Sequence, residues 1–220
     1  MVNISISEEI KSLCPKLRLG CIESYVTVSD SDKELLSEIN RRIKEISQQL
    51  VVGEISRLPV IAASRLAYKA CGKDPARYRL SAEALLRRVV SGKGLYQINN
   101  VVDQLNLVSI SSGFSIGGYD ADQIQGDVIF GIGRENEPYQ GIGRGELNIE
   151  GLPVFRDGLG AFGTPTSDSQ RTEVTLNTTR FLMVLIDFGS EPTLDVTIKM
   201  ATELLKYHCN SEIQEIQIIE

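Results

Sequence analysis

The sequence predicts an α+β fold, with helices mostly in the N-terminal half and at the C-terminus. Two observations indicate this class. Apolar residues recur at helical spacing over 32–50 and 81–94, whereas the glycine-punctuated runs after residue 113 have the length and spacing of strands in a compact mixed sheet. Helices that precede most of the strands favour separate α and β layers over a doubly wound parallel sheet.

The first elements are one strand and three helices. The alternation of apolar and polar residues over 15–30 predicts a half-buried strand, and helices follow over 32–50, over 59–71 and from residue 81. Asp30 or Ser31 is expected to cap the first helix. Ser81 is expected to cap the third, which a glycine at 92 or 94 ends.

Residues 99–120, NNVVDQLNLVSISSGFSIGGYD, predict a helix followed by a strand. Asn99 or Asn100 is expected to cap a helix over 100–111, and Gly113 to end it. Val101, Leu105 and Val108 would share its buried face. The strand then carries two glycines, where bare backbone permits a close approach.

The rest of the chain predicts short strands, a helix and a last strand. The strand candidates are GDVIFGIG, GELNIEGLPVF, RTEVTL and RFLMVLIDFG. A terminal amphipathic helix is expected to open at Pro192, and the closing EIQEIQIIE to be a strand at a sheet edge.

Composition narrows the class of protein. The net charge of −6 and the pI of about 5.0 argue against a protein that coats nucleic acid through bulk charge, and we expect no DNA partner. The chain begins without a signal-peptide pattern, and its longest apolar run, 181–186, is far too short to cross a membrane. The four cysteines form no C-x-x-C pair, so we expect reduced thiols and a cytoplasmic location.

Residues 73–93 are locally basic despite the acidic total. Two interpretations are open: the basic residues lie on a solvated helix face, as such charge runs commonly do, or they contact phosphates. The basic residues are Lys73, Arg77, Arg79, Arg87, Arg88 and Lys93.

Several familiar sites are absent from the sequence. His208 is the only histidine, and its place near the end of a helix predicts a structural role. Without this histidine the chain cannot form a Ser-His-Asp or Cys-His catalytic set. Its neighbour Cys209 does not make a zinc pattern. The GIG at 131–133 and the GIGRG at 141–145 do not complete a dinucleotide fingerprint, and hairpin turns are expected there. We therefore expect no metal and no cofactor.

The segment 81–188 resembles a known family. Its N-x-V-D-x-x-N helix ending at a glycine, its strand ending in Tyr-Asp, and its later glycine turn before a serine resemble the B3/B4 domain of the phenylalanyl-tRNA synthetase beta subunit. The matching positions are Asn100, Val102, Asp103, Asn106, Gly113, Tyr119, Asp120, Gly163, Ser167 and Thr178 or Thr179.

The resemblance implies a three-layer β/β/α sandwich and an editing function, the hydrolysis of mischarged aminoacyl-tRNA. The expected pocket residues are Asn106, Gly117, Gly118, Tyr119, Asp120, Gly163, Thr164 and Ser167. The expected contacts with the tRNA acceptor end are Arg77, Arg79, Arg87, Arg88 and Lys93. Backbone N–H groups at the glycines would polarise the ester carbonyl, and Asn106 would hold the α-amino group or a water.

Two departures from the family pattern bear on function. Synthetase members carry a histidine where this chain has Gly117. They also carry a glutamate that reads the tyrosine hydroxyl, near the strand that here ends at Asp187. Tyrosine specificity and catalysis therefore stay open.

Three hypotheses follow. The chain is a free-standing editing enzyme acting in trans, or a non-catalytic module that binds tRNA, an amino acid or a small molecule. The third hypothesis is a domain that acts through a protein partner or as a homo-oligomer, using the edge strand near 213–219. We expect one domain over 1–220. Residues 1–75 would pack as an extension on a core over 76–190, and 191–220 would add the last helix and strand.

Overall fold

The computed structural model describes residues 2–190 and 194–220, in which strands and helices form separate layers. The strands are β1 (Ile4–Ile6), β2 (Arg18–Tyr25), β3 (Ser115–Asp120), β4 (Val128–Ile132), β5 (Gln140–Gly141), β6 (Gly145–Glu146), β7 (Pro153–Asp157), β8 (Gly160–Gly163), β9 (Arg180–Asp187) and β10 (Glu212–Ile219). The helices are α1 (Glu8–Leu13), α2 (Lys33–Gln49), α3 (Pro59–Ala70), α4 (Ser81–Val90), α5 (Asn100–Ser112) and α6 (Leu194–His208).

The longer strands form two sheets. The outer sheet has the order β1-β4-β7-β8, in which β1 runs parallel to β4 and the other neighbours are antiparallel. The inner sheet has the order β10-β2-β9-β3 and is antiparallel throughout. β10 lies at one edge of the inner sheet, as the sequence predicts.

The inner sheet is covered on both faces, which makes the fold a three-layer β/β/α sandwich. Leu19 and Cys21 of β2 share a core with Phe130 and Phe155 of the outer sheet. Ile22, on the other face of β2, belongs to a second core with apolar residues of α5 and α6. The predicted α+β layering is therefore confirmed.

The double coverage corrects the prediction of a half-buried first strand. Six of the eight residues of β2 are buried, because the positions that looked polar or small also face packed layers. A Cβ atom at Gly20 would lie 2.8 Å from the Ile198 side chain, so helix α6 sits directly on the backbone there. Glu23 is buried and paired with Arg180 at 2.6 Å.

The helix boundaries follow the sequence closely, and two of the predicted caps are wrong. Asp32, rather than Asp30 or Ser31, caps α2 by accepting the Leu35 N–H at 2.7 Å. Ser81 is the first residue of α4 rather than its cap: Leu80 precedes the helix without a side-chain cap, and the Ser81 N–H bonds the Pro165 carbonyl at 2.8 Å.

The predicted N-cap, C-terminal glycine and buried face of helix α5 are all confirmed. Asn99 accepts the Val102 N–H at 2.9 Å, and Gly113 ends the helix with a φ of 85°. The apolar stripe of Val101, Leu105 and Val108 is buried.

Two predictions in the strand region are corrected, and one further prediction lies outside the described residues. RTEVTL is not a strand: a short 3-10 turn spans Gln170–Thr172, and 173–176 form an irregular segment. Arg171 is tied to Asp157 by two hydrogen bonds of 2.8 and 3.0 Å, which holds the chain in this turn. The GIG at 131–133 is not a hairpin turn, because Gly131 and Ile132 lie inside β4. The GIGRG at 141–145 is the expected hairpin turn, between β5 and β6. The N-terminal β1 and α1 had no clear sequence signal, and Pro192 is not described.

No helix among the described residues is long and apolar enough to span a membrane.

Asn100 joins α5 to its surroundings, and its loss should destabilise the fold. The buried amide accepts the N–H groups of Ser29 and Val101 and donates to the carbonyls of Thr27 and His208, all at 2.9–3.0 Å. Asn100→Ala leaves these groups unpaired, so we expect the free energy of unfolding to fall by about 3 kcal/mol in urea titrations. Asn106→Ala, in the same helix, is the control and should change it by less than about 0.5 kcal/mol. Equal stability of the two variants would contradict this role of Asn100.

Candidate functional site

A cavity of about 640 Å³ lies between α4, α5, β3 and the loop at 164–168. This volume is within the usual range for small-molecule sites. Apolar side chains of α4, α5 and β3 line one part of it, including Leu85, Leu105 and Ile116. Basic side chains line another part, so the cavity combines an apolar wall with a cationic rim.

Half of the predicted pocket residues line this cavity. Asn106 lines it from α5 and Gly118 from β3, while Thr164 and Ser167 line it from the loop. Among the described residues the amide of Asn106 has no hydrogen-bond partner, which leaves it available to a ligand. The predicted residues that are not among the lining ones are Gly117, Tyr119, Asp120 and Gly163.

Gly117 and Gly163 instead make room for Tyr119. Tyr119 is fully buried against Phe155 and Phe162, with ring centroids 5.9 and 4.9 Å away. A Cβ atom at Gly117 would lie 2.0 Å from the Tyr119 hydroxyl, and one at Gly163 would lie 2.1 Å from it. Both glycines lie in strands rather than at turns, so the expected carbonyl-polarising turns are not found there. A histidine in place of Gly117 would meet Tyr119 between the sheets.

Asp120 and Asp187 are tied into the structure. Asp120 accepts a hydrogen bond from the Thr178 hydroxyl at 2.8 Å and one from the Asp122 N–H at 3.1 Å, which closes the turn after β3. Asp187 pairs with Arg18 at 2.8 Å and accepts the Ser190 N–H at 2.8 Å. Burial acts to raise the pKa of Asp187, but these partners hold it below its ordinary value. Asp187 does not line the cavity.

The loop at 164–168 forms a tight turn around one hydroxyl. Thr164 Oγ1 accepts the N–H groups of Thr166 and Ser167 at 3.1 and 3.0 Å and donates to the Ser167 carbonyl at 3.0 Å. The Tyr139 hydroxyl donates to the same carbonyl at 2.6 Å. These bonds fix the position of the next residue, Asp168.

Asp168 lines the cavity from this loop and is more enclosed than Glu173, the other acidic residue in the lining. Its Oδ2 accepts the Gly118 N–H at 3.4 Å, and its Oδ1 is closed to solvent without a hydrogen-bond partner among the described residues. Burial raises the pKa of Asp168 to about 7, although the Tyr119 hydroxyl and the Gly118 N–H favour the ionised form. A carboxyl group with such a pKa exchanges protons near neutral pH, which suits general acid–base chemistry.

Four of the five predicted cations line the cavity. These are Arg79, Arg87, Arg88 and Lys93, to which the structure adds Arg144. Arg77 is not among the lining residues and lies over the Tyr78 ring, 5.6 Å from its centroid.

The lining cations differ in their partners. Arg87 pairs with the buried Glu83 at 2.9 Å, and Glu83 also binds Arg65 at 2.8 Å. Arg79, Lys93 and Arg144 have no ion pair within the part of the chain that is described, so their charge is available to an anion.

Sequence reasoning missed Asp168, Tyr96 and Arg144. Asp168 directly follows the predicted Ser167, but its burial depends on Gly118 and Tyr119, about fifty residues earlier. Tyr96 falls in a loop without a motif, and Arg144 lies in a hairpin turn outside the basic segment. His208 lies outside the cavity, with its ring nitrogens 3.7 Å from Asp32 and Glu38.

A family model of the B3/4 domain matches residues 63–209, about two thirds of the chain. The chain therefore belongs to the B3/4 domain family, which confirms the family predicted from 81–188.

Among solved structures, the chain matches an N-terminal fragment of the phenylalanyl-tRNA synthetase beta subunit from Pyrococcus horikoshii, with 14% identity and a TM-score of 0.47. The match covers 99% of this chain and 50% of that one, so the chain spans about half the length of the fragment. A search of curated proteins gives no match.

Proposed function

We propose that this chain hydrolyses the ester bond of mischarged aminoacyl-tRNA in trans, with Asp168 as the general base. The observation that carries the proposal is the placement of Asp168, which lines a cavity with a cationic rim and has one carboxyl oxygen closed to solvent without a hydrogen-bond partner among the described residues. Burial raises the pKa of this carboxyl group to about 7, which agrees with that role. The membership of the B3/4 family supports the substrate class.

The cavity offers separate surfaces to the parts of such a substrate. Arg79, Lys93 and Arg144 face the phosphates of the RNA end, and Leu85 and Leu105 contact the amino-acid side chain. The free amide of Asn106 holds the α-amino group or the ester oxygen. The ester is held close to Asp168 in this arrangement, and such positioning contributes substantially to rate.

The proposed reaction is an acyl transfer to water. Once the loop or the ligand opens a path to it, the Asp168 carboxylate accepts a proton from a water molecule as the oxygen of that water adds to the ester carbonyl carbon. The tetrahedral intermediate then collapses, the bond between the carbonyl carbon and the ribose oxygen breaks, and that oxygen takes the proton back from Asp168. An aminoacyl ester is already activated, so no covalent enzyme intermediate is needed.

A panel of charged tRNAs tests the proposal. We expect the purified chain to release the amino acid from at least one mischarged tRNA, with tyrosine on a phenylalanine tRNA among those offered, and to spare the correctly charged one. The amount of ester left with time, compared with tRNA alone, is the measurement. No release from any member of the panel would contradict hydrolysis.

One observation favours a second candidate, a module that binds without turnover. Asp168 Oδ1 is closed to solvent, so water reaches it only if the loop or the ligand opens a path. Saturable binding of charged tRNA with no loss of ester would identify this function.

The free cations should give tRNA binding a strong salt dependence. The triple substitution of Arg79, Lys93 and Arg144 by glutamine removes three charges that have no ion pair in the described residues. We expect the slope of log Kd against log salt to flatten by about 2–3, since each lost phosphate contact removes about 0.7–1. Lys206→Gln, exposed on α6 away from the cavity, is the control. An unchanged slope in the triple variant would place the phosphates elsewhere.

A further inference from the structure

The loop between α4 and α5 exposes an aromatic ring at the rim of the cavity. Tyr96 is 63% exposed, and it lines the cavity together with the neighbouring Ile98, which is 55% exposed. Single exposed apolar side chains are common on protein surfaces, whereas neighbouring ones at the mouth of a cavity often mark a ligand-binding or interaction site.

The structure holds this ring in a fixed orientation. The guanidinium of Arg88 lies 3.8 Å from the ring centroid of Tyr96 and donates a hydrogen bond to its hydroxyl at 3.1 Å. Arg88 makes no ion pair within the described residues, so the ring is its main partner. The loop turns at Gly92 and Gly94, which have positive φ angles of 74° and 61°, and it is anchored near its end by the Ile98 N–H, which bonds Asp103 at 2.9 Å.

We infer that Tyr96 stacks a nucleobase, and that Arg88 braces the ring from its other face. This inference rests on the proposed function and extends it, because it assigns the site for the terminal base of the RNA whose ester is cleaved. Arg88 covers one face of the ring, and the side chain is still 63% exposed, which is enough surface for a base to stack on the face away from Arg88. Exposed aromatic rings beside cations are the usual surface on which proteins stack bases of single-stranded RNA.

Equilibrium binding of uncharged RNA tests the stacking without any ester. A short single-stranded RNA ending in CCA is compared with the same RNA lacking only the terminal base, for the wild type, Tyr96→Phe and Tyr96→Leu. We expect Tyr96→Leu to weaken binding of the CCA end about 5- to 100-fold, the usual effect of losing one stacked base. Tyr96→Phe should bind within about 2-fold of wild type, because the ring is kept.

The abasic RNA and a matched variant provide the controls. The abasic RNA should bind weakly to the wild type and be insensitive to Tyr96→Leu. Tyr207→Leu removes a tyrosine of similar exposure, 66%, that lies away from the cavity, and should change nothing. Adenosine monophosphate, offered as a competitor, distinguishes a free nucleotide from an RNA end. Competition at concentrations similar to those of the RNA would make the free nucleotide the ligand and overturn the assignment to RNA.

Two results separate this inference from the proposed function. Equal binding of CCA and abasic RNA, or wild-type affinity of Tyr96→Leu, would overturn the stacking site even if the chain hydrolyses charged tRNA. Base-dependent binding that Tyr96→Leu abolishes would support the stacking site even if no ester is lost. In that case only the proposed hydrolytic function would be contradicted.

Discussion

Asp168→Asn is expected to lower the rate of ester hydrolysis about 10²- to 10⁴-fold while the affinity for charged tRNA changes little. The reason is that an amide cannot accept the proton of the attacking water, and general-base catalysis contributes about this much. Single-turnover deacylation and filter binding of the same tRNA measure the two quantities. A variant that retains a rate within about 3-fold of wild type would exclude Asp168 as the base. A loss confined to affinity would make it a substrate-holding residue.

The same substitution is expected to stabilise the protein at neutral and alkaline pH. Burial raises the pKa of Asp168 from an ordinary 3.8 to about 7. Between these values the folded state keeps a proton that the unfolded state has lost, so stability falls as pH rises through this window. Above about pH 7 the ionised, buried Asp168 lowers the free energy of unfolding by its full amount, which is up to about 4 kcal/mol at about 1.4 kcal/mol per pKa unit. Asp168→Asn removes the buried charge. We therefore expect the variant to have a higher free energy of unfolding than wild type at pH 8, and a smaller difference from wild type at pH 4.

Asp187→Asn is the matched control with the opposite sign. The partners of Asp187 lower its pKa, so its ionised form contributes stability above its ordinary pKa, and this contribution is lost as pH falls through the lowered folded value. Asp187→Asn should therefore destabilise the protein at neutral pH. Urea titrations of the two variants over pH give the answer, and changes of the same sign in both would contradict this account of the two carboxyl groups.

The second large effect is expected at Gly117, where any side chain should destabilise the fold. A Cβ atom there would lie 2.0, 2.4 and 2.7 Å from three atoms of Tyr119. The ring of Tyr119 is packed between Phe155 and Phe162, so it has no space to move away. We expect Gly117→Ala to lower the free energy of unfolding by about 3 kcal/mol, at the upper end of overpacking effects, and Gly117→His to prevent folding.

Control and double variants keep this prediction specific. Gly53→Ala, where a Cβ atom meets nothing within 4 Å, should be close to neutral. In Gly117→Ala with Tyr119→Ala the clash is gone, so the pair should lose little more than Tyr119→Ala alone. A Gly117→His variant that folds with wild-type stability and hydrolyses faster would instead show that position 117 reaches the reacting group.

The parts of the fold that the sequence predicts are those fixed by neighbouring residues. Helix α5 begins at Asn99 and ends at Gly113 because capping and left-handed backbone are local properties. The burial of β2 on both faces is not local, since residues 128–163 supply the sheet that covers one side. The half-polar pattern of the strand therefore did not predict that Glu23 is buried and paired with Arg180 of β9.

The candidate site shows the same division. Asn106, Gly118, Thr164 and Ser167 were identified by the family resemblance, which orders residues along the chain. The resemblance did not give the direction of side chains. Gly117 and Tyr119 share one face of β3 by the period of two of a strand, and this spacing alone predicts that the tyrosine competes for the space of any side chain at 117.

The most direct test of the central claim is the pH dependence of single-turnover deacylation of a mischarged tRNA by the wild type. After subtraction of the uncatalysed loss at each pH, the rate should rise with a slope of about one, bend near the pKa of Asp168 at about 7, and then level off. In Asp168→Asn the bend should disappear. A wild-type rate that does not change between about pH 5 and pH 8, or a bend that survives in Asp168→Asn, would contradict the assignment of Asp168 as the base.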